Sequence, residues 1–160
     1  MALESTAVRW FTDGGPIRRT YGYPRPAGAA TPTRHHAGID IVVDHHAPVY
    51  APQAGRVVRV QTWDGPETAA ILLAVEGGVW VIGGVDPATI GVAERTDVVA
   101  GQLLGLAGRY PRGGVYVHVE WWEPGTTRSE SWAWGSPAPA GLRDPAPAID
   151  ALLAEIGRAH

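Results

Sequence analysis

Short runs of β-branched and other apolar residues, separated by turn-forming residues, recur along the chain from residue 39 onward. This length and spacing are typical of strands in an antiparallel sandwich or barrel-like sheet. The predicted strands are Ile39 to Val43, Val49 to Ala51, Gly55 to Val60, Ala69 to Val75, Val79 to Ile82, Val98 to Val99, Leu103 to Leu106 and Val115 to Trp122. We therefore expect a mainly β fold.

The last predicted strand alternates its side chains between two faces. A period of two places Val115, Val117, Val119 and Trp121 on one face, and Tyr116, His118, Glu120 and Trp122 on the other. Two interpretations of His118 fit this pattern. In one it is a core-facing histidine hydrogen-bonded to Glu120, and in the other it ligates a metal ion while its neighbours orient it.

One short helix is predicted at the C-terminal end, over residues 147–158. Its apolar residues Ile149, Leu152, Leu153 and Ile156 fall on one helical face. Asp144 and Pro145 precede it as a plausible cap and first turn, and Gly157 stands where a C-terminal cap would.

Two segments rich in glycine and proline, residues 14–36 and 123–147, show no sustained period and are predicted to be long structured loops. Long loops in compact domains are often functional. Trp132 and Trp134 of the second loop, together with Trp122, are candidates for lining a groove.

Composition narrows the class of protein. The 160 residues fit one domain, which we divide into an N-terminal extension (1–19), a β core with loops (20–146) and the helix. A net charge of −3, with 18% charged residues, gives no strong positive field that would attract nucleic acid.

Residues 1–10 lack the pattern of a secretory signal, and no apolar run is long enough to span a bilayer. We therefore expect cytoplasmic synthesis and no membrane partner.

Because the chain has no cysteine, any metal must bind to histidine or carboxylate side chains. His36 and Asp40, with Gly38 between them, and the distant His118 form the kind of three-ligand set that zinc uses when a fourth position stays open. The alternative is that His36 and Asp40 hydrogen-bond each other without a metal. The other histidines of these segments, His35, His45 and His46, are expected on a solvent-exposed loop face.

Several motifs, in consistent order from about residue 20 to residue 153, resemble the lysostaphin/LytM-type zinc endopeptidases. His36-Ala-Gly-Ile-Asp40 resembles the H-x-G-x-D segment of that family, and Val117-His118-Val-Glu120 resembles the end of its H-x-H-x-E strand. The other resembling segments are Thr20 to Arg25, Ala47 to Val58, Val98 to Gly108 and Asp144-Pro145. The resemblance implies an antiparallel β fold with a groove over a zinc ion held by His36, Asp40 and His118.

The chain departs from this family at two positions. The first histidine of H-x-H falls on Tyr116, and the second catalytic histidine falls on Gly84 in Ile82-Gly83-Gly84-Val85. Loss of one general acid or base typically lowers a rate by about 10²–10⁴. Tyr116 and Glu120 are the candidate substitutes, although a phenol with its ordinary pKa near 10 is a poor base at neutral pH.

Three functions follow. The favoured one is a degenerate peptidase-like module that keeps its zinc site and binds peptidoglycan peptide, or a protein partner in an assembly such as a phage tail. The second is an active zinc endopeptidase that cleaves peptidoglycan cross-bridges with substituted acid and base residues. The third is a metal-free structural domain that shares only the topology. Under the first two, the expected location is a phage virion or the bacterial cell wall.

Overall fold

The computed structural model describes residues 8–158, and antiparallel strands make up most of their regular secondary structure. His160 and residues 1–7 of the predicted N-terminal extension lie outside the described residues. The strands are β1 (Ile17–Arg18), β2 (Pro24–Arg25), β3 (Arg34–His35), β4 (Ile39–Val42), β5 (Pro48–Tyr50), β6 (Gly55–Thr62), β7 (Ala69–Val75), β8 (Gly78–Val85), β9 (Asp97–Val98), β10 (Leu103–Leu106), β11 (Tyr116–Trp122) and β12 (Leu142–Arg143). A 3₁₀ turn spans Pro87–Thr89, and the helix α1 spans Ala146–Arg158.

The main sheet has eight strands within the described residues, in the order β1-β4-β11-β8-β7-β6-β9, with β12 pairing to β11. Strands β5 and β10 form a separate pair, and so do β2 and β3. Every pairing between these strands is antiparallel. The prediction of a mainly β fold with one short C-terminal helix is confirmed.

The predicted loops contain short strands that the sequence pattern did not indicate. Strands β1, β2 and β3 lie within or beside the first loop segment, and β12 lies in the second. Each has only two residues, which is too short for an alternating pattern to be visible. They matter because β2 and β3 pair with each other beside the predicted histidine motif.

The two faces of the main sheet bury two apolar clusters. The larger cluster includes Phe11, Ile41, Trp80 and Val117. The smaller cluster includes Leu72, Val81 and Trp122 on the opposite side. The predicted alternation of β11 is therefore confirmed, since Val117 and Val119 enter one cluster and Trp122 enters the other. Buried apolar area of this kind supplies the main driving force for folding.

The helix packs through part of its apolar face. Ile149 and Leu152 are buried in the larger cluster, whereas Leu153 is exposed. At the start, the Ala146 N–H donates to Asp144 Oδ1 over 2.9 Å. The predicted C-terminal cap at Gly157 is wrong, because the helix continues through that residue to Arg158. No helix among the described residues is long and apolar enough to cross a membrane.

The neighbouring leucines of the helix give a matched test of this packing. Leu152 is 3% exposed and Leu153 is 38% exposed. Leu152→Ala should lower the free energy of unfolding by about 2–5 kcal/mol, because it removes buried methyl groups and leaves a cavity. Leu153→Ala should cost less than about 1 kcal/mol, since exposed substitutions rarely change stability much. Urea denaturation measures both, and equal losses would contradict the observed packing.

Candidate metal centre

Two adjacent strands bring the predicted histidine and carboxylate side chains together. In the register of β4 and β11, Asp40 lies directly opposite His118. His118 Nδ1 lies 2.9 Å from Asp40 Oδ1. His36 Nε2 lies 3.2 Å from the same Oδ1 and 3.2 Å from His118 Nδ1. All three side chains are buried, so three potential ligand atoms form a small triangle away from bulk water.

The loop before β4 holds His36 in place through its backbone and its ring. The Gly22 N–H donates to the His36 carbonyl over 2.7 Å, and the His36 N–H donates to the Tyr23 carbonyl over 2.8 Å. His36 Nδ1 lies 2.9 Å from Thr20 Oγ1. These contacts leave Nε2 directed at Asp40. Arg25 reaches the other carboxylate oxygen of Asp40, with its guanidinium nitrogen 3.5 Å away.

His118 is oriented by the next polar residue on the same face of β11. Its Nε2 lies 2.8 Å from Glu120 Oε2. The other oxygen of Glu120 accepts from Trp122 Nε1 over 2.8 Å and from Ser129 Oγ over 2.7 Å. Both oxygens of Glu120 are therefore engaged. The expectation that Trp122 lines the groove is wrong, because its indole is buried in the smaller cluster and donates to Glu120.

The buried charges shift the ionisation of the three side chains. Burial opposes ionisation of Asp40, but hydrogen bonds from His118 and His36 outweigh it and hold the Asp40 pKa well below its usual range. Burial also lowers the His118 pKa, whereas the hydrogen bonds to Asp40 and Glu120 raise it to about 9. The His36 pKa is lowered, chiefly by burial. Without a metal, these shifts favour the protonated imidazole at His118 and the ionised carboxylate at Asp40.

The arrangement fits a zinc ion. In a tetrahedral site with bonds of about 2.0–2.1 Å, ligand atoms lie about 3.3 Å apart. The separations here, 2.9 and 3.2 Å, are close to that spacing. Metal-ligating histidines usually donate their second ring N–H to an oxygen atom. His36 Nδ1 faces Thr20 Oγ1 and His118 Nε2 faces Glu120, so each ring could donate there while its other nitrogen binds a metal.

The three residues open into a cavity of about 380 Å³ that is walled partly by aromatic rings. Tyr116 lines it, and its ring stacks on that of Tyr110 with centroids 4.0 Å apart and planes 6° apart. Trp63 Nε1 donates to the Tyr110 hydroxyl over 3.1 Å. Burial raises the pKa of Tyr116 to about 12. Tyr116 therefore stays protonated at neutral pH and can donate a hydrogen bond there.

Gly84 stands where the family resemblance implies a catalytic histidine, and that space is filled. Its φ is +91°, which disfavours any side chain. A Cβ at Gly84 would collide with the Tyr116 carbonyl oxygen and lie 3.0 Å from the Tyr110 hydroxyl. Tyr110 thus occupies the volume beside Gly84. Nothing in the sequence pattern pointed to Tyr110, since it lies outside the resembling segments.

The remaining histidines divide into two groups. His35 was expected on a solvent-exposed face, but it is half-buried between Trp132 and Trp134, with ring centroids 4.4 and 4.3 Å away. Its ring also bonds to the Gly22 carbonyl and the Gly135 N–H, so it fastens the second loop beside the cavity. His45 and His46 are exposed, as expected. They do not border the cavity.

Comparison with known proteins identifies the family. The model of peptidase family M23 matches residues 34–129, a range that contains all three residues of the centre. The chain belongs to peptidase family M23. The resemblance to LytM-type peptidases is confirmed. A comparison with curated protein sequences finds no match.

Three solved structures share the fold. The catalytic domain of the antimicrobial peptidase lysostaphin from Staphylococcus simulans is 18% identical, with a TM-score of 0.60 over 85% of this chain and 92% of that one. A mutant of the catalytic domain of EnpA, a prophage-encoded M23 protein from Enterococcus faecalis, is 23% identical, with a TM-score of 0.56 over 88% and 95%. A chain of the SpoIIIAH and SpoIIQ complex is 17% identical, with a TM-score of 0.57 over 77% and 96%.

The glycine between His36 and Asp40 in this M23 domain has a steric reason. A Cβ at Gly38 would collide with the Val119 carbonyl oxygen on the neighbouring strand. Gly38→Ala should therefore separate β4 from β11 and lower the free energy of unfolding by about 1–3 kcal/mol. Gly91 is the control, because a Cβ there meets nothing within 4 Å and its φ is not positive. Gly91→Ala should stay within about 0.5 kcal/mol of the native chain in urea denaturation.

The ionisation of His118 predicts how the stability of the metal-free M23 domain depends on pH. Its folded-state pKa of about 9 lies above the ordinary value of 6.5, so protonation favours the folded state. This contribution is fully present below pH 6.5 and is lost as the pH rises through 9. Asp40 acts in the opposite sense, since its lowered pKa gives stability above pH 3.8 that is lost in acid.

Urea denaturation in the presence of a chelator should therefore give a lower free energy of unfolding at pH 9.5 than at pH 6. His45→Ala is the matched control, because His45 is exposed and lies outside the cluster. It should keep the same difference between the two pH values. Equal stability of the native chain at both pH values would contradict the charge assignment of the cluster.

Proposed function

We propose that this M23 domain binds one zinc ion through His36, Asp40 and His118 and recognises peptidoglycan peptide without efficient cleavage. The observation that carries the proposal is the filled space at Gly84. A side chain at that position would meet the Tyr116 backbone and the Tyr110 hydroxyl. Tyr116 stands at one implied histidine position, and Tyr110 fills the space at the other, beside Gly84. Each phenol can donate a hydrogen bond, but neither is a base at neutral pH.

The residues around the centre favour binding over proton transfer. When bound, zinc would polarise a carbonyl group and acidify a bound water. Hydrolysis also needs a side chain that accepts and returns a proton. The raised pKa of Tyr116, caused mainly by burial, removes it as a base near pH 7. Glu120 keeps both oxygens engaged with His118, Trp122 and Ser129, and therefore acts as a positioning residue.

Family membership supports peptidoglycan peptide as the ligand class. The similar structures include a peptidase described as antimicrobial, a protein described as prophage-encoded, and a chain solved in complex with another protein. These likenesses concern the fold, and they motivate action at the bacterial cell wall, either alone or within a larger assembly such as a phage tail. A protein partner in place of peptidoglycan is the other outcome of the binding test below.

An active endopeptidase is the second candidate, because both candidate substitutes, Tyr116 and Glu120, border the cavity beside the metal centre. The two candidates differ in one measurement. An active enzyme would release new amino termini from purified peptidoglycan in a zinc-dependent way, and Glu120→Gln or Tyr116→Phe would abolish that release while zinc stays bound.

The test of the favoured function combines metal analysis, cleavage and binding on the full chain. We expect about one equivalent of zinc in the purified protein. His36→Ala and His118→Ala should lose it, whereas the exposed His45→Ala should retain it. The zinc-loaded protein should co-sediment with purified peptidoglycan and release no more amino termini than a chelator-treated sample.

Three results would contradict the proposal. Zinc-dependent cleavage would establish the active enzyme instead. A purified chain that retains no zinc would favour the third hypothesis, a metal-free structural domain. A chain that holds zinc without binding peptidoglycan would point to a protein partner. Gly84→His with Tyr116→His should not restore cleavage on its own, because Tyr110 still occupies the space beside residue 84.

A further inference from the structure

Residues 129–132 of the second long loop form part of one wall of the cavity. This wall begins at a fixed point beside the metal centre. The Ser129 N–H donates to Gln61 Oε1 over 3.1 Å, and the Ser129 hydroxyl donates to Glu120 Oε1 over 2.7 Å. Glu120 in turn contacts His118. The start of the wall is therefore tied to the carboxylate that orients His118.

The far end of the wall pairs with strand β3. The His35 N–H donates to the Trp132 carbonyl over 2.8 Å, and the Trp134 N–H donates to the Thr33 carbonyl over 3.2 Å. These two bonds flank an antiparallel bridge at Ala133. The main-chain groups of Trp132 and Trp134 that form them therefore face β3.

Between these two anchors, the main chain of Ser131 is a free edge. Residues 129–132 form neither helix nor turn, and along an extended chain the main-chain groups of successive residues point to opposite sides. Since Trp132 faces β3, Ser131 faces away from it. Among the hydrogen bonds of residues 8–158, none involves the Ser131 N–H or its carbonyl. Ser131 is exposed, so a ligand in the cavity can reach this donor and this acceptor.

The charges that line the cavity favour an uncharged partner for this edge. Carboxylates outnumber guanidinium groups there, so a ligand that brings a carboxylate is disfavoured. The main chain of a peptide brings no charge, and each of its residues offers one N–H donor and one carbonyl acceptor. Extended peptides bind free strand edges through these groups. The charged residues of the lining are Asp40, Asp64, Glu120, Glu130, Arg25 and Arg34.

We propose that an extended peptide binds in the cavity as an added strand and forms two main-chain hydrogen bonds with Ser131, one to its carbonyl and one from its N–H. This inference rests on the proposed function, and it specifies that the peptide is recognised through its main chain rather than through charged side chains. The added strand shares the cavity with the His36–Asp40–His118 centre.

Isothermal titration of the zinc-loaded full chain with N-acetyl-tetraalanine amide tests the proposal. This probe has no charged group and no polar side chain, so its polar contacts come from its main chain. Ser131→Pro removes the N–H donor and should weaken binding about tenfold or more. Ser131→Ala keeps the N–H and should retain the affinity that Ser131→Pro loses.

Thr127→Pro is the matched control for the introduction of proline. Thr127 lies in the same loop, is exposed and does not border the cavity. Its N–H, like that of Ser131, has no hydrogen-bond partner within residues 8–158. Thr127→Pro should therefore bind the probe like the native chain. Urea denaturation and zinc content show whether each variant keeps its fold and its centre.

A second probe keeps the test decisive if Ser131→Pro does not fold. N-methylation of all four alanines removes the donors of the peptide, and this probe should bind the native chain at least tenfold more weakly. Equal affinity for the two probes, no binding of N-acetyl-tetraalanine amide, or equal affinity of Ser131→Pro and Ser131→Ala would overturn the proposal. Failure of the proposed function looks different, because it appears in the native chain as absent zinc, as cleavage of peptidoglycan or as no co-sedimentation with it.

Discussion

The antiparallel pairing of β4 with β11 buries one carboxylate between two imidazoles, and the architecture of the site depends on that burial. A buried carboxylate without partners would cost several kcal/mol, so the fold must bring partners to Asp40. The sheet supplies His118 from the opposite strand. The preceding loop supplies His36 and Arg25. That loop is in turn held by backbone bonds at Gly22 and Tyr23, so the pairing of strands also sets the shape of the cavity wall.

A second constraint links residues that are distant in sequence. The left-handed backbone of Gly84 brings β8 against the Tyr116 carbonyl, and Tyr110 fills the remaining space. Trp63 then covers the Tyr110 hydroxyl and lies beside His118, with ring centroids 5.4 Å apart. These aromatic side chains form one packed unit. Exchange of a single member would leave a cavity or a collision, so the position of each of these residues depends on the others.

Much of the fold and part of the site could be predicted from the sequence, because both depend on local patterns. The alternation of β11 placed His118 and Glu120 on one face, and the spacing of His36 and Asp40 indicated a shared site. Trp122 continues that alternation, yet a twisted sheet buries it at the far end of the strand. Other residues act through contacts with residues that are distant in sequence, and a periodic hydrophobic pattern does not indicate such contacts. These residues are Thr20, Arg25, Tyr110 and Ser129. The sandwich of His35 between two tryptophans escaped prediction for the same reason.

The same arrangement of His36, Asp40 and His118 suits the metal-free protein and would also suit a metal-bound one. In the metal-free state, the raised pKa of His118 favours its protonated form, in which one ring N–H is directed at Asp40 and the other at Glu120. A histidine that ligates a metal must give up the proton on its ligating nitrogen. The Nε2 proton of His118 is unaffected by that change, so Glu120 keeps the ring in the same orientation in both states. The doubly engaged Glu120 carboxylate, buried away from water, is thereby a rigid support for the His118 ring.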